Sequence, residues 1–180
     1  MSFLASRSYF GLVNILRAKN INSKYKVIIY KTLIKPVLMF GVETWVLSKA
    51  DELHLSVYDR KILRRIYGPI CEGKIWRSRY NEELYRLYDE TDFVTTIKIT
   101  RLRWAGHIVR KQDTLLCKKI TLDKQEGRRR VGRPNLGWMD GVMRDAEKLG
   151  VRNWNSKAKD RDGWRRLLNT LRTGDTDLRF

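Results

Sequence analysis

The sequence predicts an all-α fold, and three observations carry that reading. Apolar side chains recur at intervals of three and four along nearly the whole chain, the period of an amphipathic helix. Breakers such as Gly41, Gly68-Pro69 and Gly150 fall where those stretches end. No run of alternating apolar and polar residues is long enough to suggest a sheet. With 180 residues and 42% hydrophobic content, the chain can bury a real core.

Taken in order, Leu12, Ile15, Leu16 and Lys19 follow the helical period in a first segment. Tyr25 through Leu38 reads as a second helix, with Val27, Ile28, Tyr30, Leu33 and Ile34 apolar. Pro36 is expected to kink or end it, because proline lacks the N–H and its ring clashes with the preceding turn. Ser48 is placed as an N-cap with Asp51 three residues on, close to a capping box. The stretch from Lys49 to Tyr67 is the clearest amphipath: Leu55, Tyr58, Ile62 and Ile66 share one side, and Arg60, Lys61, Arg64 and Arg65 project from the other. Residues 69–80 read as an irregular connection with a short hairpin around Glu72-Gly73.

A short helix from Asn81 to Tyr88 is expected next, capped by Asn81 and carrying Glu82 and Glu83 in its first turn. Phe93 to Arg110 follows, with Phe93, Ile97, Trp104 and Ile108 as its stripe and Val94, Leu102, Ala105 and Val109 widening it. Gly106 inside this helix suggests close packing against a neighbour. After Pro134, Asn135 can cap a helix whose apolar face is Leu136, Met139, Val142, Met143, Ala146 and Leu149. Trp154, Ala158, Trp164, Leu167, Leu168 and Leu171 furnish a last pair of helices or one kinked helix. The domain plan is thus residues 1–112, a basic Arg/Gly linker over 113–135, and a helical module over 136–180. Residues from Thr173 on are expected to fray.

Charge points to the partner. Lysine and arginine outnumber acids 38 to 20, a net +18. Residues 101–135 hold 11 basic against 3 acidic residues, so a fifth of the chain carries almost half the surplus. Within it lies GRRRVGRP, Gly127 to Pro134, whose Arg128, Arg129, Arg130 and Arg133 sit between glycines and a proline. Guanidinium forks match phosphate oxygens, and glycine lets backbone approach a ligand. Nucleic acid, RNA or DNA, is the expected partner, with no membrane and no small-molecule substrate. Arg60, Lys61, Arg64, Arg65 and Arg101 join the four linker arginines as candidate contacts. Among the six tryptophans, Trp76 in its loop is the stacking candidate; Trp104, Trp138 and Trp164 are assigned to the core by their helical spacing.

Catalytic signatures are missing. Acids occur in pairs at helix ends, where capping explains them. No Walker motif, GxSxG elbow or paired-aspartate turn is present, and Asn135 stands where a nuclease carboxylate would be wanted. Cys71, Cys117, His54 and His107 lack metal-ligand spacing, so the cysteines read as small semi-buried hydrophobes in a reducing compartment, and no cofactor or metal is expected. The N-terminal stretch is too charged for a signal peptide, and no segment has the length of a membrane span. A nuclear or cytoplasmic location, neither secreted nor membrane-bound, is the expectation.

The series YKTLIKPVLMFGVETWVLSKADELHLSVYDRKILRRIYG resembles the thumb segment that follows the palm in non-LTR retrotransposon reverse transcriptases. RLRWAGHIVR, GRRRVGRPNLGWMDGVMRDAEKLGVRNW and AKDRDGWRRLL are similar to the C-terminal end of insect-type (jockey- and RTE-like) endonuclease–reverse transcriptases. Together they cover about Tyr25 to Leu168. The resemblance implies a thumb-like helical region, a basic loop and a small C-terminal helical module. It places Arg60, Lys61, Arg64 and Arg65 along a template–primer backbone, and Arg128 to Arg133 on template RNA or target DNA. No residue here matches the polymerase's metal-binding aspartates, so the implied role is binding without catalysis. The alternative is a domesticated chromatin module: Val131-Gly132-Arg133-Pro134 resembles an AT-hook core, with Val131 in place of its first arginine.

Overall fold

A computed structural model describes residues 2–122 and 137–173, and the all-α expectation holds for them apart from one small hairpin. The chain divides into two compact units. The first takes residues 1–42 and 49–94; the second takes 43–48 and 95–180. The boundary between these units falls near residue 94. Its cause is the long helix that starts at Phe93, whose buried Ile99, Leu102, Ala105 and Val109 share one core with Val142, Ala146, Trp164 and Leu168.

The first unit is built from α1 (Ser2–Arg17), α2 (Ser23–Ile29), a π turn (Tyr30–Ile34), α3 (Lys35–Leu38), α4 (Lys49–Tyr67) and α5 (Asn81–Tyr88). Asn22 caps α2, its Oδ1 accepting from the Lys24 N–H at 2.9 Å. Pro36 neither ends nor sharply breaks the helix that α2 starts. Instead the backbone widens one turn earlier, so that Lys35 N–H donates to Tyr30 O, five residues back. A π turn relieves the ring clash that a proline imposes on the preceding turn. Leu16, Tyr30, Ile34, Ile62, Leu63 and Leu84 form the fully buried centre. Tyr30 donates its phenol hydrogen to the Asp59 carboxylate there. Burial raises the Asp59 pKa above its ordinary value, against the opposing pull of that bond and of Lys35.

Between α4 and α5, β1 (Ile70–Glu72) pairs antiparallel with β2 (Ile75–Arg77), with Cys71 opposite Trp76. Gly73 and Lys74 at the turn both have positive φ, 55° and 79°, as a two-residue hairpin of the primed type requires. The N-cap of α5 is Tyr80 rather than Asn81. The Glu83 carboxylate reaches back to the Tyr80 N–H at 2.7 Å, and the Asn81 side chain serves Arg64 instead.

The second unit contains α6 (Phe93–Val109) from Thr95 on, α7 (Leu116–Leu122), α8 (Trp138–Lys148), α9 (Trp154–Lys159) and α10 (Arg161–Thr173). Segment 43–48 belongs to it through two bonds: Trp138 Nε1 donates to Glu43 O at 2.7 Å, and Arg101 Nη1 to Trp45 O at 2.7 Å. Gly150, at φ 71°, ends α8 as expected, with Val151 N–H reaching back to Ala146 O at 2.8 Å in a Schellman pattern. The last apolar stretch forms two helices, α9 and α10, rather than one kinked rod. Met143 is exposed, not on the core face of α8. Both cysteines are free and exposed, which corrects their assignment as semi-buried.

Candidate nucleic-acid interface

In the first unit, the basic side of α4 is only partly available. Arg64 is tied to its own fold, donating through Nε to Arg79 O at 3.3 Å and through Nη2 to Asn81 Oδ1 at 2.7 Å. Arg60 hydrogen-bonds the Tyr85 phenol, whose pKa burial raises. Arg60, Arg64 and Arg65 are half-buried, and Lys61 is exposed. Beside them the hairpin is braced at its base. Arg77 bridges Glu72 and Glu83, at 2.5 Å and 2.7 Å from Nη2, and lies over the Tyr80 ring. Hydrogen bonds from Arg77, then the Tyr80 N–H, hold the Glu83 carboxyl down at about 2. Arg79 donates to Gly68 O at 3.2 Å. On this fixed support Trp76 stands 70% exposed, with Ile75 and Tyr80 also open to solvent.

Arg101 is placed differently from the sequence expectation. Its side chain is 2% exposed, and its guanidinium is closed off by Asp145 and the Trp45 carbonyl. Gly141 opposite leaves the room it needs, since a Cβ there would lie 3.3 Å from Arg101 Nη1. A guanidinium so enclosed holds the second unit together and cannot touch a phosphate. Arg128, Arg129, Arg130 and Arg133, and with them the AT-hook-like core, lie outside the described residues.

The second unit instead presents a basic cleft of about 990 Å³ that the sequence reading did not name. One wall is a single stripe of α6 and the turn after it: Thr100, Arg103, Trp104, His107, Arg110 and Lys111, spaced three and four apart. The other is the Arg161, Arg165 and Asn169 edge of α10, three residues each four apart. Glu43 is the single acid among the lining residues. Arg110 Nη1 donates to Ala158 O at 2.5 Å. Among the described residues, no acceptor engages the guanidinium groups of Arg103, Arg161 or Arg165.

Trp104 was assigned to the core and is 41% exposed. Its ring centroid lies 5.3 Å from that of His107, with the planes 31° apart. Desolvation, then Lys111, Arg110 and Arg161, push the His107 pKa below its ordinary value. Trp164 forms the floor and is buried. It packs so tightly on Gly106 that a Cβ there would lie 2.7 Å from its Cδ1. The Trp164 Nε1–H has no acceptor among the described residues.

Among the described residues no three His, Cys, Asp or Glu side chains gather to hold a metal ion, and no helix is long and apolar enough to cross a membrane.

The chain is 26% identical over 149 residues to an uncharacterised transposon-derived protein of Caenorhabditis elegans, an overlap of 79% of this chain. It spans about half, 53%, of that relative's length. No family model matches the chain. No solved structure matches it.

Proposed function

We propose that this chain is a nucleic-acid-binding, non-catalytic part of a retrotransposon reverse transcriptase, an RNA-directed DNA polymerase, corresponding to its thumb and the region after it. The similarity to a transposon-derived protein supports the transposon connection. The finer reading rests on the resemblance of the quoted segments. One structural observation supports binding above the others: a cleft lined by five lysines and arginines, one histidine and a single carboxylate. Five cations gathered around one carboxylate repel one another, so their arrangement is best explained by an anion that enters.

The role of the chain is to hold template or target nucleic acid, and no reaction step is assigned to its residues. Binding of purified protein to labelled RNA and DNA across a salt series tests this. Affinity should fall steeply and roughly linearly on a log–log plot as salt rises. An affinity unchanged from low to high salt would overturn the reading, as would nucleotide incorporation above background with Mg²⁺ and a primer–template.

A further inference from the structure

We infer that the cleft between α6 and α10 of the second unit is a single-strand site, in which an unpaired base stacks on Trp104 while Arg103, Arg161 and Arg165 hold the flanking phosphates. This rests on the nucleic-acid reading above and deepens it.

Shape supports single strands over duplex. Proteins that read duplex DNA insert a convex element into a groove. Here the cations line a concavity, and a volume of about 990 Å³ suits a few nucleotides rather than a double helix. Unpaired bases are the parts of a nucleic acid that enter concave sites, and they do so against aromatic faces. Trp104 supplies that face. It is an indole left 41% exposed between Arg103 and His107, with the His107 ring only 31° from its plane. An indole on an otherwise well-packed helix gains more by burial than by exposure, so its position among cations is best accounted for by a stacking partner.

The phosphate positions follow from spacing. Arg161 and Arg165 are one turn apart on α10, about 6 Å along the helix axis, close to the separation of successive phosphates in an extended strand. Arg103 faces the same cleft from α6, and none of the three has an acceptor among the described residues. An acidic peptide would satisfy the charges but would leave Trp104 unused.

The test compares the whole chain with its Trp104→Ala and Trp104→Phe variants, each checked for intact helicity by circular dichroism. The probes are a mixed-sequence RNA strand of about ten nucleotides and a blunt duplex of the same length. Wild type should prefer the single strand. In Trp104→Ala the ratio of single-strand to duplex affinity should fall about tenfold, the loss expected for one stacked base, and Trp104→Phe should recover most of it. Polyglutamate of equal charge and free mononucleotide should both compete poorly. An unchanged ratio in Trp104→Ala, or equal competition by polyglutamate or mononucleotide, would overturn the inference. Wild type that binds neither probe would remove the function proposed above as well. Salt-dependent binding with an unchanged ratio in Trp104→Ala would remove only the single-strand site.

Discussion

Arg101 carries three hydrogen bonds into the interior of the second unit, two to Asp145 and one to the Trp45 carbonyl. An ion pair this deeply buried gains little over an apolar pair of similar volume, but removing one partner strands a charge in a medium that cannot solvate it. Asp145→Ala is therefore expected to destabilise the chain by about 3–5 kcal/mol in denaturant unfolding. The double replacement Arg101→Met with Asp145→Leu should cost less than that single change. A single-variant loss below about 0.5 kcal/mol, typical of surface sites, would contradict the account. His107 gives a second expectation at this scale. Desolvation, and after it the neighbours Lys111, Arg110 and Arg161, disfavour its charged form in the free protein. Phosphate in the cleft would oppose them, so the bound state has the higher pKa and binding takes up a proton. Affinity should then be flat at alkaline pH and rise as pH falls through the histidine range. His107→Ala should flatten that rise; a pH profile unchanged by the substitution would refute it.

At the scale of elements, α6 decides what the second unit can do. Its close approach to α10 at Gly106 brings the two basic edges together over the Trp164 floor. Gly106→Ala should force the helices apart, destabilise by about 1–3 kcal/mol in chemical unfolding, and weaken nucleic-acid binding with it. Wild-type stability and affinity in that variant would show that the close packing does not set the cleft. The existence and limits of this helix, and of α4, were legible because apolar residues recur at the helical period over many turns. The suspicion about Gly106 was legible too. So was most of the helix's buried face, since Phe93, Val94, Ile97, Leu102, Ala105, Ile108 and Val109 are all buried as expected; two positions were not. Reading by residue type put Trp104 inside and Arg101 outside, and the structure reverses both. Ile97, Arg101, Ala105 and Ile108 form the buried line, which the charge of Arg101 hides until Asp145, 44 residues away, is brought beside it. The polar stripe Thr100–Arg103–Trp104–His107–Arg110–Lys111 is hidden in the sequence once Trp104 is counted with the core, and its partner edge on α10 comes from the tertiary fold. The same limit applies to Arg64, which periodicity places on a solvated face. The connection through Arg79 and Asn81, residues that sequence reading assigned to a loop and a cap, takes it partly out of play.

For the molecule as a whole, the surplus of eighteen positive charges sets the behaviour that matters most. Such a field draws polyanions in at long range and is screened by salt, so it is a statement about partners rather than about fold. Each unit packs its own core, and each exposes a tryptophan, Trp76 in the first and Trp104 in the second. The cleft makes the charge argument specific, because five of the cations line one concavity. The most direct measurement is the slope of log affinity against log salt for a single strand, in wild type and in an Arg161→Glu/Arg165→Glu variant. Neutralising one phosphate on a single strand contributes about 0.7 to that slope, so wild type should show a magnitude of about 3 or more and the variant a slope shallower by about 1.4. A slope near zero in wild type, or one that the double substitution leaves unchanged, would contradict the central claim that this cleft holds nucleic acid.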